Sequence, residues 1–157
     1  MTNNKLKIAA YTRVACDEEN LKENNDGIIR QKTIIENYCN KHFSNYTIDF
    51  YTDIGCSGNT LRGRKDYPKL RDKLCHNEYD ILIADSMSRM FRELNAETVS
   101  ELIKIQNSKV RIVFIDLENG KFTTDDYLNI FAIYPIDTKT VMKRGGIDAK
   151  KFNRRST

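Results

Sequence analysis

Residues 79–85 read Tyr79-Asp80-Ile81-Leu82-Ile83-Ala84-Asp85, a continuous apolar centre bounded by acidic residues. A short, uninterrupted apolar run is typical of a strand that is buried on both faces, as in the middle of a parallel sheet. Parallel neighbours need long crossover connections, which are usually helices. This stretch therefore predicts alternating strands and helices on either side of it.

The flanking sequence supplies that alternation. Apolar and alternating runs predict strands, and apolar residues at helical spacing predict helices between them. In chain order, the predicted elements are a strand at 6–11, a helix at about 26–42, a strand at 46–52, a helix at 67–76, the strand at 79–85, a helix at 95–108 and a strand at 110–116. We predict an α/β fold with a mostly parallel central sheet flanked by helices.

Composition narrows the class of protein. The chain has 157 residues, of which 39% are hydrophobic and 31% are charged, and its mean hydropathy is −0.61. These values predict one core and a wet surface, and they exclude a collagen-like or disordered chain. No apolar run reaches the roughly 18 residues that a membrane-spanning helix needs. We expect a cytoplasmic protein without a membrane partner.

The C-terminal end differs from the rest in charge. Residues 139–157 carry seven basic side chains and one acidic side chain, a net charge of +6, which leaves −2 for residues 1–138. The pattern predicts a domain at 1–135 and a basic, partly helical segment at 136–157. A polyanionic partner would explain the basic segment, and so would simple solvation.

The four cysteines, Cys16, Cys39, Cys56 and Cys75, are 23, 17 and 19 residues apart along the chain. That spacing lacks the close pairs of a zinc site, and neither histidine stands at ligand spacing from a partner. The prediction is four reduced thiols with no metal and no cofactor.

Several polar residues follow the predicted strands directly. Arg13 follows the first, Asp53 and Ser57 follow the second, and Arg89 and Arg92 follow the third. Ligands of an open parallel sheet bind beyond the carboxyl ends of its strands. Because the guanidinium fork can bond two oxygens at once, an arginine cluster at this edge indicates a phosphate ligand.

If the segment that holds Arg89 and Arg92 is helical, their spacing places both on one face. The alternative is that the arginines form ordinary surface ion pairs with Asp53, Asp85 and Glu93.

Four short segments together resemble a known family. They are Tyr-Thr-Arg-Val-Ala at 11–15, Arg-Gln-Lys at 30–32, Tyr-Thr-Asp-Ile-Gly-Cys-Ser-Gly at 51–58 with Arg64 beyond, and Ser-Arg-Met-Phe-Arg at 88–92. In this order they resemble the catalytic-domain signatures of the serine recombinases, the resolvase and invertase group. The likeness extends over about residues 5–120 and is greatest to the large serine recombinases and integrases.

The resemblance implies phosphoryl transfer on double-stranded DNA without a metal ion. A serine attacks the scissile phosphate and forms a 5′-phosphoserine link, and paired subunits, dimers that join as tetramers, exchange strands. By position, Arg13, Arg89 and Arg92 would contact the phosphate or activate the reacting groups, Arg64 would support them, and Gln31, Asp53 and Ser57 would orient the site. The residues of the basic segment that would contact DNA are Lys143, Arg144, Lys150, Lys151, Arg154 and Arg155.

One departure from the family pattern decides the expected activity. The family has its nucleophilic serine two residues after Arg13, where this chain has Ala15. A methyl group cannot form a phosphodiester, so we expect no DNA cleavage. Cys16 is the nearest alternative nucleophile, but successive strand residues face opposite sides. Ala15 is equally compatible with an engineered Ser-to-Ala change and with a natural loss of the serine.

Smaller departures are Ser88, where many small resolvases have aspartate, and the breaks at Pro135 and Gly145-Gly146 in what the family builds as a long helix. The resemblance also implies a separate DNA-recognition domain, and we expect none in this chain. Two rival functions remain open. One is a non-catalytic module that dimerises or binds the DNA backbone. The other is a response-regulator-like domain using Asp53 and Asp85, which would need carboxylates where the first strand ends.

Overall fold

A computed structural model describes residues 4–15, 21–92 and 95–118, with strands and helices in alternation. The strands are β1 (Leu6–Val14), β2 (Tyr46–Ile54), β3 (Ile81–Ala84) and β4 (Arg111–Phe114). The helices are α1 (Leu21–His42), α2 (Asp66–Cys75), α3 (Met87–Met90), α4 (Ala96–Asn107) and α5 (Ile115–Glu118).

The four strands form one sheet in the order β2-β1-β3-β4. Every neighbouring pair is parallel. This confirms the predicted α/β fold with a parallel central sheet flanked by helices. All four residues of β3 are buried, as the apolar run at 81–84 predicts for a strand with neighbours on both sides.

Side chains of β1 alternate between two layers of core. Ala9 and Tyr11 face a cluster that includes Tyr67 and Leu70 of α2 and Leu102 of α4. Ile8 and Ala10 face the other cluster, which includes Ile35 and Cys39 of α1. Because residues of a strand point to opposite faces in turn, one continuous apolar run serves both layers.

The core therefore places α1 on one face of the sheet and α2 and α4 on the other. Helix α4 begins with a capping box formed by Asn95 and Thr98. Asn95 accepts from the backbone N–H of Thr98, and the Thr98 hydroxyl accepts from the Asn95 N–H. This capping box satisfies two backbone donors at the helix N-terminus.

Several element boundaries differ from the predicted ones. β1 continues to Val14, because it pairs with β2 along its whole length. α1 begins at Leu21 rather than near residue 26; the polar residues of its first turns give no apolar periodicity from which its start could be predicted. β4 ends at Phe114, and Ile115 already begins α5.

The predicted basic, partly helical segment at 136–157 lies outside the described residues. The two-part division of the chain stays a prediction.

Candidate functional site

The carboxyl ends of β1, β2 and β3 bring together three segments at one edge of the sheet. They are Ala15 after β1, the loop 55–64 after β2, and residues 85–92 after β3. The backbone joins them directly, since the Gly55 N–H donates to the Val14 carbonyl at 3.0 Å and the Arg92 N–H donates to the Gly58 carbonyl at 2.9 Å. The convergence predicted for this edge is therefore observed.

Arg13 lies inside this junction and is only 1% exposed. Its guanidinium donates from Nη1 to the Cys56 carbonyl at 2.7 Å, from Nε to the Arg89 carbonyl at 2.8 Å and from Nη2 to the Ser88 carbonyl at 3.2 Å. Burial lowers the pKa of Arg13, and the nearby cation of Arg64 lowers it further. The side chain thus ties the loop 55–64 to the segment 85–92.

Gln31 of α1 holds the backbone of the same residue. Its carboxamide accepts from the Arg13 N–H at 3.0 Å and donates to the Arg13 carbonyl at 3.1 Å. β3 pairs with β1 only as far as Ala10, so Gln31 supplies partners where no strand does. A buried backbone without partners would be costly, and Gln31, itself buried, removes that cost.

Gly58 packs against the Arg13 guanidinium more closely than any other residue type could. A Cβ built at Gly58 would lie 2.5 Å from Arg13 Nη2 and 2.9 Å from Arg92 Cβ. The glycine therefore permits the loop to close over Arg13 while its carbonyl holds the backbone of Arg92.

We expect Gly58→Ala to destabilise the chain by about 1–3 kcal/mol, because the added methyl group must displace Arg13 or Arg92. Thermal unfolding measures the effect. Gly63→Ala is a control for a methyl group added to the same loop. Nothing lies within 4 Å of its Cβ position, although its φ of +80° adds backbone strain. Equal stability of Gly58→Ala and the unchanged chain would contradict the close packing.

Asp53, at the end of β2, receives the N-terminus of α2. Its Oδ1 accepts from the Lys65 and Asp66 N–H groups at 2.8 and 2.9 Å, and its Oδ2 accepts from the Tyr67 N–H at 3.0 Å and the Tyr11 hydroxyl at 2.9 Å. A carboxylate is favoured at this end of a helix. Asp53 therefore orients α2 relative to the sheet and makes no ion pair with Arg13, its neighbour in the strand register.

Arg64 is also buried, at 5% exposure. Its Nη2 donates to the Ser57 and Gly58 carbonyls at 3.3 and 3.4 Å, and its Nη1 donates to the Tyr11 hydroxyl at 3.4 Å. Within the described part of the chain its Nε has no partner. Two arginines thus lie buried side by side at this edge.

The loop 55–64 is held at further points. The Cys56 thiol donates to the Gly63 carbonyl at 3.2 Å, and burial raises its pKa, so that it stays protonated. The Asn95 side chain, at the start of α4, donates to the Asn59 carbonyl at 3.0 Å. Ser57 remains exposed, and its hydroxyl accepts from the Asn59 N–H at 3.1 Å.

The more accessible arginines are Arg89 and Arg92. Arg89 is paired through Nε with Asp85 at 3.3 Å, which confirms one of the surface ion pairs in the alternative interpretation. The condition for a shared helical face, a helix that includes both arginines, is not met. α3 ends at Met90, and Phe91 is extended with φ −138° and ψ 100°, so Arg92 is placed by its bond to Gly58 and not by a helix.

The remaining predicted residues lie at the surface, against other side chains or outside the described part of the chain. Ala15 is exposed directly after β1, whereas Cys16 and Glu93 lie outside the described residues, as do all six basic residues proposed to contact DNA. Asp53 is buried against a helix and Asp85 faces Arg89. These placements leave neither carboxylate as an open acceptor of the response-regulator kind.

Sequence reasoning did not assign roles to Tyr11, Tyr67 or Gly58. Tyr11 and Gly58 stand inside the quoted motifs, so their position was a usable signal. Tyr67 was assigned only to a helix, and nothing in its sequence neighbours indicates that its ring lies against Arg64, with the ring centroid 5.6 Å from Cζ.

The sequence of this chain matches one known protein family over most of its length. Residues 8–135 match the sequence model of the family described as Resolvase, N terminal domain. The chain belongs to this family. The resolvase domain thus covers most of the sequence, and the resemblance to serine recombinases is confirmed.

Solved structures show the same fold for the resolvase domain. The N-terminal catalytic domain of TP901-1 integrase has a TM-score of 0.62 at 19% identity, covering 96% of this chain and 98% of that one. A resolvase family site-specific recombinase from Streptococcus pneumoniae has a TM-score of 0.61 at 19% identity, with coverages of 97% and 92%.

A third similar structure is the C-terminal catalytic domain of ISC1926 TnpA, an IS607-like serine recombinase. Its TM-score is 0.57 at 19% identity, covering 95% of this chain and 99% of that chain. No curated protein matches the chain significantly by sequence. Among its described helices, none has the length and apolar character to cross a membrane.

Proposed function

We propose that this resolvase domain is the catalytic domain of a serine site-specific DNA recombinase in which the nucleophile position holds Ala15, so that it binds the DNA backbone but does not cut it. The observation that supports the proposal most is the arginine cluster, defined as Arg13, Arg64, Arg89 and Arg92, which assembles at the edge of the sheet where the exposed Ala15 follows β1.

The chemistry of the family explains why both features matter. A serine hydroxyl attacks the phosphorus, loses its proton and forms a P–O bond to the enzyme, while the 3′-oxygen leaves and takes up a proton. Negative charge on the transferred phosphoryl group needs nearby cations during this step. The arginine cluster can supply the cations, but the methyl group of Ala15 has no lone pair with which to attack.

The four arginines divide into two roles in this proposal. Arg89 and Arg92 contact the phosphate, because their side chains are the accessible ones. Arg13 and Arg64 hold the surrounding loop and, from their buried positions, add positive potential to the surface that Arg89 and Arg92 form. Mutual repulsion among these cations, part of the cause of the lowered pKa of Arg13, is relieved when an anion binds.

The remaining residues orient this cluster. Gln31 fixes the backbone of Arg13, Asp53 fixes α2, and Ser57 presents an exposed hydroxyl beside the arginines. We further propose that the basic segment at 136–157 contacts double-stranded DNA through its lysines and arginines, and that the domain acts as a dimer that joins a second dimer into a tetramer.

Ala15 also favours a second candidate, a non-catalytic module that keeps the fold to dimerise or bind the DNA backbone. Both candidates predict that the chain does not cleave DNA, and the DNA-binding form of the second also predicts binding. They differ in whether a serine at position 15 restores the chemistry.

The DNA-binding part of the proposal is tested by titrating a short DNA duplex over a range of salt concentrations. We expect Arg92→Gln to weaken binding and to reduce the slope of log affinity against log salt by about 1, the loss of one phosphate contact. Arg89→Gln should act in the same direction.

Arg111→Gln is the matched control, because Arg111 is exposed and begins β4, at the opposite edge of the sheet. It should leave the slope unchanged. An equal loss in the Arg111 and Arg92 variants would show that binding depends on net charge alone and would contradict a phosphate site at the cluster.

A further inference from the structure

Among the described residues, no carboxylate forms an ion pair with Arg64. Its hydrogen bonds are 3.3–3.4 Å long, and its buried Nε has no partner among the same residues. Long hydrogen bonds to neutral oxygens define the position of a cation poorly. Other contacts must therefore fix this guanidinium.

Two tyrosine rings provide those contacts. The Arg64 Cζ lies 5.8 Å from the ring centroid of Tyr11 and 5.6 Å from that of Tyr67. Both distances are within the range of a cation–π interaction, which is strengthened when the cation is buried. The rings meet each other edge to face at 5.8 Å, so a shift of the Tyr67 ring would alter the whole pocket around Arg64.

Glu101 of α4 holds the Tyr67 ring from its far end. The Tyr67 hydroxyl donates to Glu101 Oε2 at 2.9 Å, and both residues are buried. Burial and the Glu101 carboxylate raise the pKa of Tyr67, so its hydroxyl keeps the proton that it donates. On its outer side Glu101 meets Arg71 and Lys104, each at 3.4 Å.

We propose that Glu101 is a positioning residue that fixes the Arg64 guanidinium at the edge of the sheet by holding the ring of Tyr67. Glu101 belongs to none of the four motifs and comes from a different helix. The proposal deepens the proposed function, on which it rests for the claim that the correctly placed Arg64 adds positive potential beneath a phosphate-binding edge. The competing explanation is a simple α2–α4 contact that leaves Arg64 unaffected.

The test measures Arg64 directly, by hydrogen exchange of its Nε–H signal in the ¹⁵N-labelled 157-residue chain, with Arg64→Lys used to assign the signal. Tyr67→Phe keeps the ring and removes only the bond to Glu101. We expect it to accelerate exchange at Arg64 roughly tenfold, as for the loss of one hydrogen bond to a charged group.

Tyr79→Phe is the matched control. Tyr79 is also a buried tyrosine whose hydroxyl donates to a carboxylate, that of Asp49 at 2.8 Å, but it has no contact with the arginine cluster. This variant should lose a similar amount of stability and leave the exchange of Arg64 unchanged, which separates positioning from general loosening.

Two Glu101 variants complete the design. Glu101→Gln keeps an oxygen that can accept from Tyr67 and should retain slow exchange at Arg64, whereas Glu101→Ala should match Tyr67→Phe. Unchanged exchange at Arg64 in both Tyr67→Phe and Glu101→Ala would overturn the inference.

Affinity for a short DNA duplex, measured on the same variants, separates this inference from the proposed function. Weaker binding by Tyr67→Phe but not by Tyr79→Phe supports both. If the unchanged chain fails to bind DNA while Arg64 exchange still responds to Tyr67→Phe, the proposed function falls and the positioning contact stands.

Discussion

Ala15→Ser is expected to turn a chain that forms no covalent bond with DNA into one that forms a phosphoserine adduct. The change adds one hydroxyl to an exposed residue at the end of β1, directly beyond the Arg13 backbone that Gln31 holds on both its N–H and its carbonyl. Loss of a serine nucleophile costs roughly 10⁶-fold in rate in serine hydrolases. Restoring the serine should therefore change the result from no detectable adduct to a detectable one.

The assay joins the Ala15→Ser chain to a DNA-binding region of known site and looks for protein covalently attached to 5′ ends after denaturation. The unchanged chain in the same fusion is the control, and it still contains Ser57 and Cys16. An adduct in that control would show that another residue attacks. No adduct from the serine variant, with DNA binding intact, would favour the non-catalytic module.

Arg13→Lys is expected to cause the largest loss of stability. A lysine cannot reach three carbonyls that lie in different directions, at Cys56, Ser88 and Arg89, and it would leave buried acceptors without donors. Hydrogen bonds to a charged group are worth about 1.5–3 kcal/mol each, so the loss of two of the three should cost about 3–5 kcal/mol. For a chain of this size, the midpoint temperature of thermal unfolding should fall by roughly 10 °C.

Arg92→Lys is the control for this measurement, because Arg92 is exposed and exposed substitutions change stability by about 0.5 kcal/mol or less. Unchanged or greater stability of Arg13→Lys would show that the three guanidinium hydrogen bonds contribute little to the stability of the fold. In that case Arg13 would not be the tie between the two loops.

The convergence of the candidate site was predictable for a simple reason. Parallel strands end at the same edge of a sheet, so residues that follow each strand meet whatever the details of the loops. Arg89 and Arg92 do not share a helical face, because the four-residue helix that holds Arg89 ends at Met90. Local spacing could not reveal that the Gly58 carbonyl, from another loop, holds Arg92 instead.

The burial of individual arginines was not predictable. Arg13 and Arg92 look alike in the sequence, yet Arg13 is 1% exposed and Arg92 is on the surface. Which of two arginines becomes enclosed depends on where distant carbonyls lie after folding. The close approach of Gly58 to Arg13 is likewise a contact between loops that are far apart in the chain.

The sequence by itself determined the parallel α/β fold, the membership in the resolvase family and the absence of a hydroxyl at position 15, because periodicity, motif order and residue identity are local properties. Only the tertiary structure decided that Asp53 caps α2 and that Arg64 lies between two tyrosine rings. Those roles depend on long-range packing, in which a buried charge takes whichever partners the folded chain brings within reach.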